Sequence, residues 1–181
     1  MIKRIAGSLI VTFFLIHCND SPQSSAGNHS VTLNDMNNET LHHKFYSRTD
    51  TSRLVLPDSV WATLLSDDLY RVAREAATER AFTGKYWDHE GIGMYYCAAC
   101  GNALFKSDSK FASGCGWPSF FEAIRPTAVI YKLDTSFSMV RTEVLCGRCD
   151  AHLGHIFDDG PPPTGKRFCM NSISLEFEPE K

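Results

Sequence analysis

The sequence has no large surplus of charge of either sign and no apolar run long enough to cross a membrane. Its 18 Lys and Arg residues against 21 Asp and Glu residues give a formal net charge of -3, and the basic residues form no cluster. A nucleic-acid partner is therefore not expected, because binding to phosphates requires clustered positive charge. The longest apolar run covers residues 5–16, whereas a membrane-spanning helix needs about 20 residues. With 43% hydrophobic residues, the chain can supply the core of one globular domain.

The N-terminus has the pattern of an export signal. Lys3 and Arg4 precede the apolar run, as the charged region of a signal peptide precedes its hydrophobic region. The run ends at Cys18 in a segment that resembles the lipobox of bacterial lipoproteins, although His17 stands where a small residue is usual. We expect residues 1–18 to direct export to the cell envelope or periplasm, with Cys18 as a candidate for lipidation and membrane anchoring. An uncleaved anchor and a simple secretory signal are the alternatives.

Residues 19–52 are rich in Ser, Asn, Thr and His and contain few apolar side chains. Such a segment buries too little surface to offset its conformational entropy, so it is predicted to be a flexible polar tether. Its histidines, His29, His42 and His43, are interpreted as solvated and not as ligands. The folded domain is expected to cover residues 53–181.

The residues after the tether predict two short helices followed by several strands. Pro57 and Asp58 suit the first turn of one helix, and Ser66 suits the N-cap of a second helix. Beyond Gly84, turn residues separate four short strand patterns, at residues 93–97, 128–133, 139–145 and 167–177. This order predicts an α+β domain whose sheets are mainly antiparallel.

Four of the seven cysteines form two CxxC pairs, Cys97 with Cys100 and Cys146 with Cys149. Tetrahedral Zn²⁺ takes four thiolates at about 2.3 Å, and each CxxC turn presents two of them. A structural zinc site is therefore predicted, and because four ligands leave no open position it is assigned to stability and not to catalysis. Two redox-active pairs or a disulfide framework are the alternatives, since an exported protein can form disulfides.

The segment RFCMNSISLEF is expected to carry a reactive thiol. If residues 167–177 form one strand, Arg167, Cys169 and Asn171 share one face with the apolar side chains further along it. A guanidinium two residues from a thiol favours the reactive thiolate. The alternative is a small buried cysteine packed in a sheet, and the residues alone leave these two interpretations about equal.

Two further segments supply candidate partners for this thiol. His152 and His155 lie near the second CxxC pair, and histidines near a cysteine can act as acids or as hydrogen-bond partners of a reacting oxygen. The sequence offers no third histidine or carboxylate that completes an obvious catalytic zinc set with them. Cys115 and Trp117 lie on the glycine-rich loop SGCGWPSF. Trp117 is either a wall for a small group or part of the core, and Cys115 is either inert or a second thiol for Cys169.

Three segments together resemble the B-type methionine sulfoxide reductases, which reduce the R epimer of methionine sulfoxide. The segments are TERAFTGKYW, GMYYCAACGNALFKSDSKFASGCGWPSF and RTEVLCGRCDAHLGHIFDDGPPPTGKRFCMNS. The resemblance covers about residues 54–177. It implies the β-tent fold of that family, which has two antiparallel sheets and a zinc site distant from the reacting thiol.

The resemblance also implies a role for each matching residue. Cys169 corresponds to the nucleophile, which becomes a sulfenic acid, and Cys115 corresponds to the resolving thiol that closes a disulfide with it. A thioredoxin-like donor would then restore both thiols. The other implied roles are the handling of the departing oxygen by His152, His155 and Asn171, support of the thiolate by Arg167, a wall of the S-methyl pocket formed by Trp117, and zinc binding by Cys97, Cys100, Cys146 and Cys149.

Two features of this chain depart from the usual pattern of the family. Ala81 stands where proline is usual, and the leader implies export, which separates the enzyme from cytosolic thioredoxin. We therefore expect an envelope thioredoxin-like donor, acting on a monomer that repairs free or protein-bound methionine sulfoxide. The alternatives from other classes are a non-enzymatic zinc module that binds a partner or ligand in an aromatic cage, and a disulfide exchange catalyst that uses CAAC or CGRC.

Overall fold

Two antiparallel sheets and two short helices make up residues 42–181, the part of the chain that the computed structural model describes. The expected leader, including Cys18, and most of the expected tether, including His29, lie outside the described residues. The α+β class with mainly antiparallel strands is confirmed. No helix within residues 42–181 has the length and apolar character needed to cross a membrane. The elements in chain order are α1 (Asp58–Leu64), α2 (Asp67–Glu75), β1 (Gly93–Cys97), β2 (Ala103–Lys106), β3 (Lys110–Phe111), β4 (Ser119–Phe120), β5 (Val129–Asp134), β6 (Arg141–Cys146), β7 (His152–Phe157), β8 (Arg167–Met170) and β9 (Leu175–Pro179).

The strands divide into a smaller and a larger sheet. The smaller sheet has the order β2-β1-β9, and the larger sheet has the order β3-β4-β8-β7-β6-β5. All of these neighbouring strands pair in antiparallel fashion. β8 and β9 follow one another in sequence but belong to different sheets, so the chain crosses from the larger sheet to the smaller one between them.

The two helices follow the signals in the sequence. Pro57 precedes α1 with extended backbone angles, and its carbonyl accepts the first helical hydrogen bond, from the amide of Val60. The Ser66 hydroxyl accepts from the amide of Leu69 at 3.4 Å, so Ser66 is the N-cap of α2 as predicted. α2 ends at Ala76, whose φ of 55° is left-handed. The same helix packs against β7, the strand that carries both candidate histidines.

The segment 42–52 differs from the tether that its composition predicts. His43 Nε2 lies 2.9 Å from the carbonyl oxygen of Ala99, and the Ser47 amide donates to the carbonyl of Cys100 at 3.0 Å. Arg148 of the second CxxC turn forms an ion pair with Asp50 at 2.9 Å. The carbonyls and the guanidinium of the two turns thus give this polar segment fixed partners, which composition does not reveal. His43 is partly buried against the domain and is not a solvated linker residue, whereas His42 stays exposed although its Nε2 lies 3.3 Å from the Glu176 carboxylate.

Aromatic side chains fill the core between the smaller sheet and β4. Phe105 of β2 stacks on Phe120 of β4 with ring centroids 4.4 Å apart, and Tyr95 of β1 meets the same ring at 5.0 Å. All three side chains have 0% relative exposure. Burial of three aromatic side chains stabilises this contact between the smaller sheet and β4. The position of β4 is therefore fixed, and β4 is the strand that pairs with β8.

The single strand predicted for residues 167–177 is wrong. β8 ends at Met170, a 3₁₀ turn covers Ser172–Ser174, and β9 continues in the other sheet. The carboxylate of Glu79 accepts hydrogen bonds from the amides of Ser172 and Ile173, which holds the chain in this turn. Along β8 the buried face carries Phe168 and Met170, opposite the face of Cys169. The shared face predicted from Cys169 through Asn171 to the apolar residues therefore does not exist.

Candidate active site and metal centre

Cys169 lies in the interior of the larger sheet, on β8. The backbone register pairs it with Ser119 of β4 on one side and with His155 of β7 on the other. Residues directly opposite one another in antiparallel strands point to the same face, so the thiol and the imidazole share a face. The side chain of Cys169 is partly exposed, unlike its buried neighbour Phe168. A partly exposed thiol differs from the fully buried cysteine that the alternative interpretation expects.

Cys115 comes from the loop before β4 and lies against Cys169. The two sulfurs are 3.6 Å apart, which is a contact distance, since a disulfide bond is about 2.0 Å long. Both residues are free thiols, and both are partly exposed. The pairing of β4 with β8 brings together two cysteines that are distant in sequence. A second thiol thus lies within reach of the first one, as the resemblance implies.

The surroundings make the two thiols unequal in acidity. Burial opposes ionisation of Cys115, but hydrogen bonds from Ser113 and Ser119 outweigh it and lower the pKa of Cys115 to about 7. The Ser113 hydroxyl lies 2.9 Å and the Ser119 hydroxyl 3.5 Å from that sulfur. Burial, together with the charge on Cys115, raises the pKa of Cys169 to about 12. The pair therefore loses its first proton around neutral pH, from Cys115, while Cys169 stays protonated.

Arg167 supports Cys169 less directly than the sequence predicts. Its guanidinium donates to both carboxylate oxygens of Asp159, at 2.8 and 2.9 Å, and lies over the ring of Phe157. Its positive charge lowers the pKa of the Cys169 thiol, in the predicted direction, but burial and the charge on Cys115 have the larger effect. Arg167 therefore fixes the loop that carries Asp159 and offsets only part of the cost of ionising Cys169.

Both candidate histidines are oriented by carboxylates that the sequence analysis missed. His152 Nδ1 lies 2.7 Å from Glu143 Oε1, and His155 Nε2 lies 2.8 Å from Asp134 Oδ2. The two imidazole rings are 5.5 Å apart, edge to face. Burial lowers the pKa of His152, and Glu143 opposes this effect only in part. The available signal for Glu143 was an acidic residue inside the strand predicted for residues 139–145.

Asn171 and Trp117 are both held by Glu79, another residue that the sequence analysis did not single out. The Glu79 amide donates to Asn171 Oδ1 at 3.0 Å, and its carbonyl accepts from Trp117 Nε1 at 3.2 Å. Asn171 Nδ2 also donates to the carbonyl of Leu153 at 3.2 Å. Backbone partners thus occupy the amide oxygen and one of the two amide hydrogens of Asn171, which leaves one hydrogen for a ligand.

A cavity of about 430 Å³ opens beside the Cys115 loop. Trp117, Trp87 and Phe111 contribute its aromatic lining, and the indole of Trp117 is only partly buried. The cavity is large enough for a small side chain, because sites for whole small molecules begin at about 300 Å³. Trp117 therefore lines a cavity, whose lining residues include neither of the two thiols and neither candidate histidine.

The two CxxC pairs converge on one buried point. Their four sulfurs lie within 4.8 Å of one another, with Cys97 and Cys149 separated by 3.8 Å and Cys100 and Cys146 by 3.6 Å. Four sulfurs about 2.3 Å from a tetrahedral Zn²⁺ ion are about 3.8 Å apart. All four are free cysteines. The donor set fits a tetrahedral metal ion with no open position.

Close backbone contacts hold the turns that present these sulfurs. A Cβ atom on Gly147 would lie 2.0 Å from the carbonyl oxygen of Thr127, so only glycine fits at that position. Asn102 Nδ2 donates to Cys146 Sγ at 3.4 Å, and Arg148 donates to the carbonyl of Cys100 at 2.8 Å. The cluster is thus enclosed by packed and hydrogen-bonded groups, as a stabilising site requires and a catalytic one does not.

Comparisons with known proteins agree with this geometry. The SelR domain family matches residues 65–179. A protein of Thiobacillus denitrificans named peptide methionine sulfoxide reductase MsrB is 59% identical over 123 residues, which cover 68% of this chain and 93% of that protein. A protein of the same name from Herminiimonas arsenicoxydans is 54% identical over 128 residues, 71% of this chain and 93% of its own length. A third, from Synechococcus sp., is 51% identical over 131 residues, 72% of this chain and 96% of its own length. This chain belongs to the SelR-domain family, the B-type methionine sulfoxide reductases.

Proposed function

We propose that this protein reduces the R epimer of methionine sulfoxide, free or within oxidised proteins, by thiol chemistry at Cys169. The observation that carries the proposal is the pair of free thiols, Cys115 and Cys169, 3.6 Å apart and next to a histidine on the same sheet face. Relatives that are more than half identical over most of their length bear the name peptide methionine sulfoxide reductase, which supports the same activity here.

The first step moves the oxygen from the substrate to Cys169. The Cys169 sulfur attacks the sulfoxide sulfur, and the oxygen ends on Cys169 together with the thiol proton, which leaves methionine and a sulfenic acid. The methionine sulfur gains two electrons, and the Cys169 sulfur loses two. His152, His155 and Asn171 organise and protonate the departing oxygen, directly or through water. The indole of Trp117 forms the wall against which the S-methyl group lies.

The second step joins the two cysteines. The Cys115 thiolate attacks the sulfur of the sulfenic acid, a disulfide forms, and the oxygen departs as water after it takes up a proton. The lowered pKa of Cys115 supports this step, because it keeps the resolving sulfur in the nucleophilic form near neutral pH. A thioredoxin-like dithiol then reduces the disulfide and restores both thiols.

Zinc is the metal proposed for the four-cysteine centre, because closed sets of four thiolates are typical of structural Zn²⁺ sites. Cys97, Cys100, Cys146 and Cys149 would hold the ion. Cys97 ends β1 of the smaller sheet and Cys146 ends β6 of the larger sheet, so a bound ion would join the two sheets. The chemistry that it supplies is this cross-link, and no step of the reaction passes through it.

We also propose that the enzyme acts as a monomer in the cell envelope, where it repairs oxidative damage. The support is the leader pattern of Lys3 and Arg4 before the apolar residues 5–16. Lipidation of Cys18 would anchor the domain to a membrane, and the reductant would then be an envelope thioredoxin-like protein. Incorporation of a labelled fatty acid that is lost in Cys18→Ser would support the anchor. Its equal incorporation into Cys18→Ser would contradict it.

A single-turnover experiment tests the reaction. The fully reduced, metal-loaded protein is mixed with one equivalent of methionine-R-sulfoxide or methionine-S-sulfoxide, without any other reductant, and methionine is measured. We expect the wild type to form methionine from the R epimer only, and Cys169→Ser to form none. Cys115→Ser should complete one turnover, but a dithiol protein should not recycle it. A reduced and folded wild type that produces no methionine from either epimer would contradict the proposal and favour a non-enzymatic binding module.

A further inference from the structure

A row of polar side chains crosses the larger sheet on the face of the reacting thiol. The register places Cys169 opposite His155, His155 opposite Glu143, and Glu143 opposite Lys132. These residues belong to the adjacent strands β8, β7, β6 and β5. Since directly opposed residues share a face, Glu143 lies on the side of Cys169 although two strand spacings separate them. The β5–β6 hairpin thus contributes to the active-site face.

Glu143 is a buried carboxylate with two partners. It is 7% exposed, its Oε1 lies 2.7 Å from His152 Nδ1, and its Oε2 lies 3.4 Å from the Lys132 ammonium. A carboxylate kept ionised in a buried place needs such partners, because an unpaired buried charge is costly. An ionised carboxylate only accepts hydrogen bonds, so the shared hydrogen belongs to His152 Nδ1. Glu143 therefore selects the Nδ1-protonated tautomer of His152.

The other ring nitrogen of His152 is the one left for chemistry. Nε2 is buried and has no hydrogen-bond partner among the described residues. A buried polar atom without a protein partner needs another one, such as water or a substrate. Since Nδ1 carries the hydrogen, Nε2 of the neutral ring carries a lone pair. The ring lies 5.5 Å from that of His155, and His155 is directly opposite Cys169, so Nε2 is the free ring nitrogen close to the reacting thiol.

The geometry points to Glu143 as a positioning residue of the reaction, with Lys132 as its outer partner. By holding His152 in the Nδ1-protonated tautomer, Glu143 makes Nε2 the acceptor for the proton that travels from the Cys169 thiol to the departing oxygen, directly or through one water. The proton leaves sulfur, resides on Nε2, and ends on the oxygen of the sulfenic acid, so the step consumes and releases nothing else. This inference rests on the proposed function.

Several charged groups lie close to His152, so a variant that tests Glu143 should change its charge and keep its size. Glu143 contacts the ring and is paired with Lys132, and the ring of His155, which is paired with Asp134, lies 5.5 Å away. Glu143→Gln keeps the size of the side chain and an oxygen that accepts from Nδ1, but it removes the charge. Glu178→Gln is the matched control, because it neutralises a strand glutamate in an ion pair with Arg48 on the smaller sheet.

Steady-state kinetics with methionine-R-sulfoxide and a dithiol reductant supply the first measurement. We expect kcat of Glu143→Gln to fall by on the order of 10- to 100-fold, the usual effect of losing the partner of a functional histidine, with KM unchanged. Lys132→Met should lower kcat by less than about fivefold, because exposed ion pairs contribute little. Glu178→Gln should match the wild type. A folded Glu143→Gln variant with wild-type kcat, or one whose KM alone changes, would overturn the inference.

The tautomer itself is measured in the wild type, so the test does not depend on whether a variant folds. Proton–nitrogen correlation spectra of the ¹⁵N-labelled imidazole groups show which nitrogen of His152 carries the hydrogen, with His152→Gln used for assignment. We expect the hydrogen on Nδ1. A hydrogen on Nε2 would refute the role of Glu143 even in an active enzyme. A wild type that shows the expected tautomer but reduces no sulfoxide would instead refute the proposed function.

Discussion

Replacement of Gly154 by alanine would test how closely the reaction depends on the position of Cys169. Gly154 lies on β7 between the two candidate histidines and pairs with Met170 of β8. A Cβ atom at this position would lie 2.1 Å from the carbonyl oxygen of Cys169 and 2.9 Å from the Cα atom of Met170. Both neighbours are backbone atoms and cannot turn away, so β7 and β8 must separate.

The size of this displacement sets the expected loss of activity. Ordinary contacts of a Cβ atom begin at 3.4 Å, so the carbonyl of Cys169 must move by more than about 1 Å. A displacement of about 1 Å at a reacting group can lower a rate by about 100-fold. Forcing a methyl group into a packed contact also costs about 1–3 kcal/mol of unfolding free energy. We therefore expect a folded Gly154→Ala variant with a single-turnover rate about 100-fold below that of the wild type.

Gly165→Ala is the matched control for this variant. A Cβ atom at Gly165 would meet nothing within 4 Å, while the φ of 67° makes alanine unfavourable there by about 1–2 kcal/mol. Both variants thus lose stability, but only Gly154→Ala displaces Cys169. The assay measures methionine formed from methionine-R-sulfoxide and the rate at which the Cys115–Cys169 disulfide appears. A folded Gly154→Ala variant with both rates at the wild-type level would refute the reasoning.

Three further predictions concern the thiols, the metal centre and Glu79. Alkylation of the reduced protein should modify Cys115 with a half-maximal rate near pH 7, because the thiolate fraction of Cys115 rises through that pH. Cys169 should stay protonated at this pH and react slowly. Faster alkylation of Cys169 than of Cys115 at pH 7 would contradict this order. Cys146→Ser should retain no zinc in metal analysis, and urea titrations should show a loss of more than about 2 kcal/mol of unfolding free energy. Zinc retention with unchanged stability would exclude a structural role for the four-cysteine site. Glu79→Gln leaves fewer acceptors for the amides of Ser172 and Ile173, so it should cost about 1–3 kcal/mol of unfolding free energy. Loosening of this turn should also shift the neighbouring Asn171 and raise KM. Unchanged stability with unchanged KM would count against that role.

Local signals in the sequence predicted the parts of the fold that local interactions determine. Pro57 and Ser66 marked the starts of the two helices, and the turn residues that bound a short strand pattern predicted β1 with its observed bounds, Gly93–Cys97. The CxxC spacing predicted the four-cysteine cluster because each turn brings its own two sulfurs together. β7 was missed because a bulge opposite Val144 and Leu145 interrupts its alternation.

The relations that depend on distant contacts were not predictable in this way. The strand pattern of residues 167–177 gives no sign of the turn after Met170, because that turn is held by Glu79, far away in sequence. The orientation of His152 depends on Glu143 of a neighbouring strand, and strand pairing cannot be deduced from either segment alone. The resemblance supplied the contact between Cys115 and Cys169, which the residues themselves left open.

The central claim is that two of the six described cysteines carry the reaction and the other four bind metal. Its most direct test is peptide mapping of the zinc-loaded protein under non-reducing conditions after one equivalent of methionine-R-sulfoxide. We expect one equivalent of methionine, a disulfide between Cys115 and Cys169, and full retention of zinc. A disulfide among the four clustered cysteines with loss of zinc, or methionine formed without any Cys115–Cys169 bridge, would contradict the account.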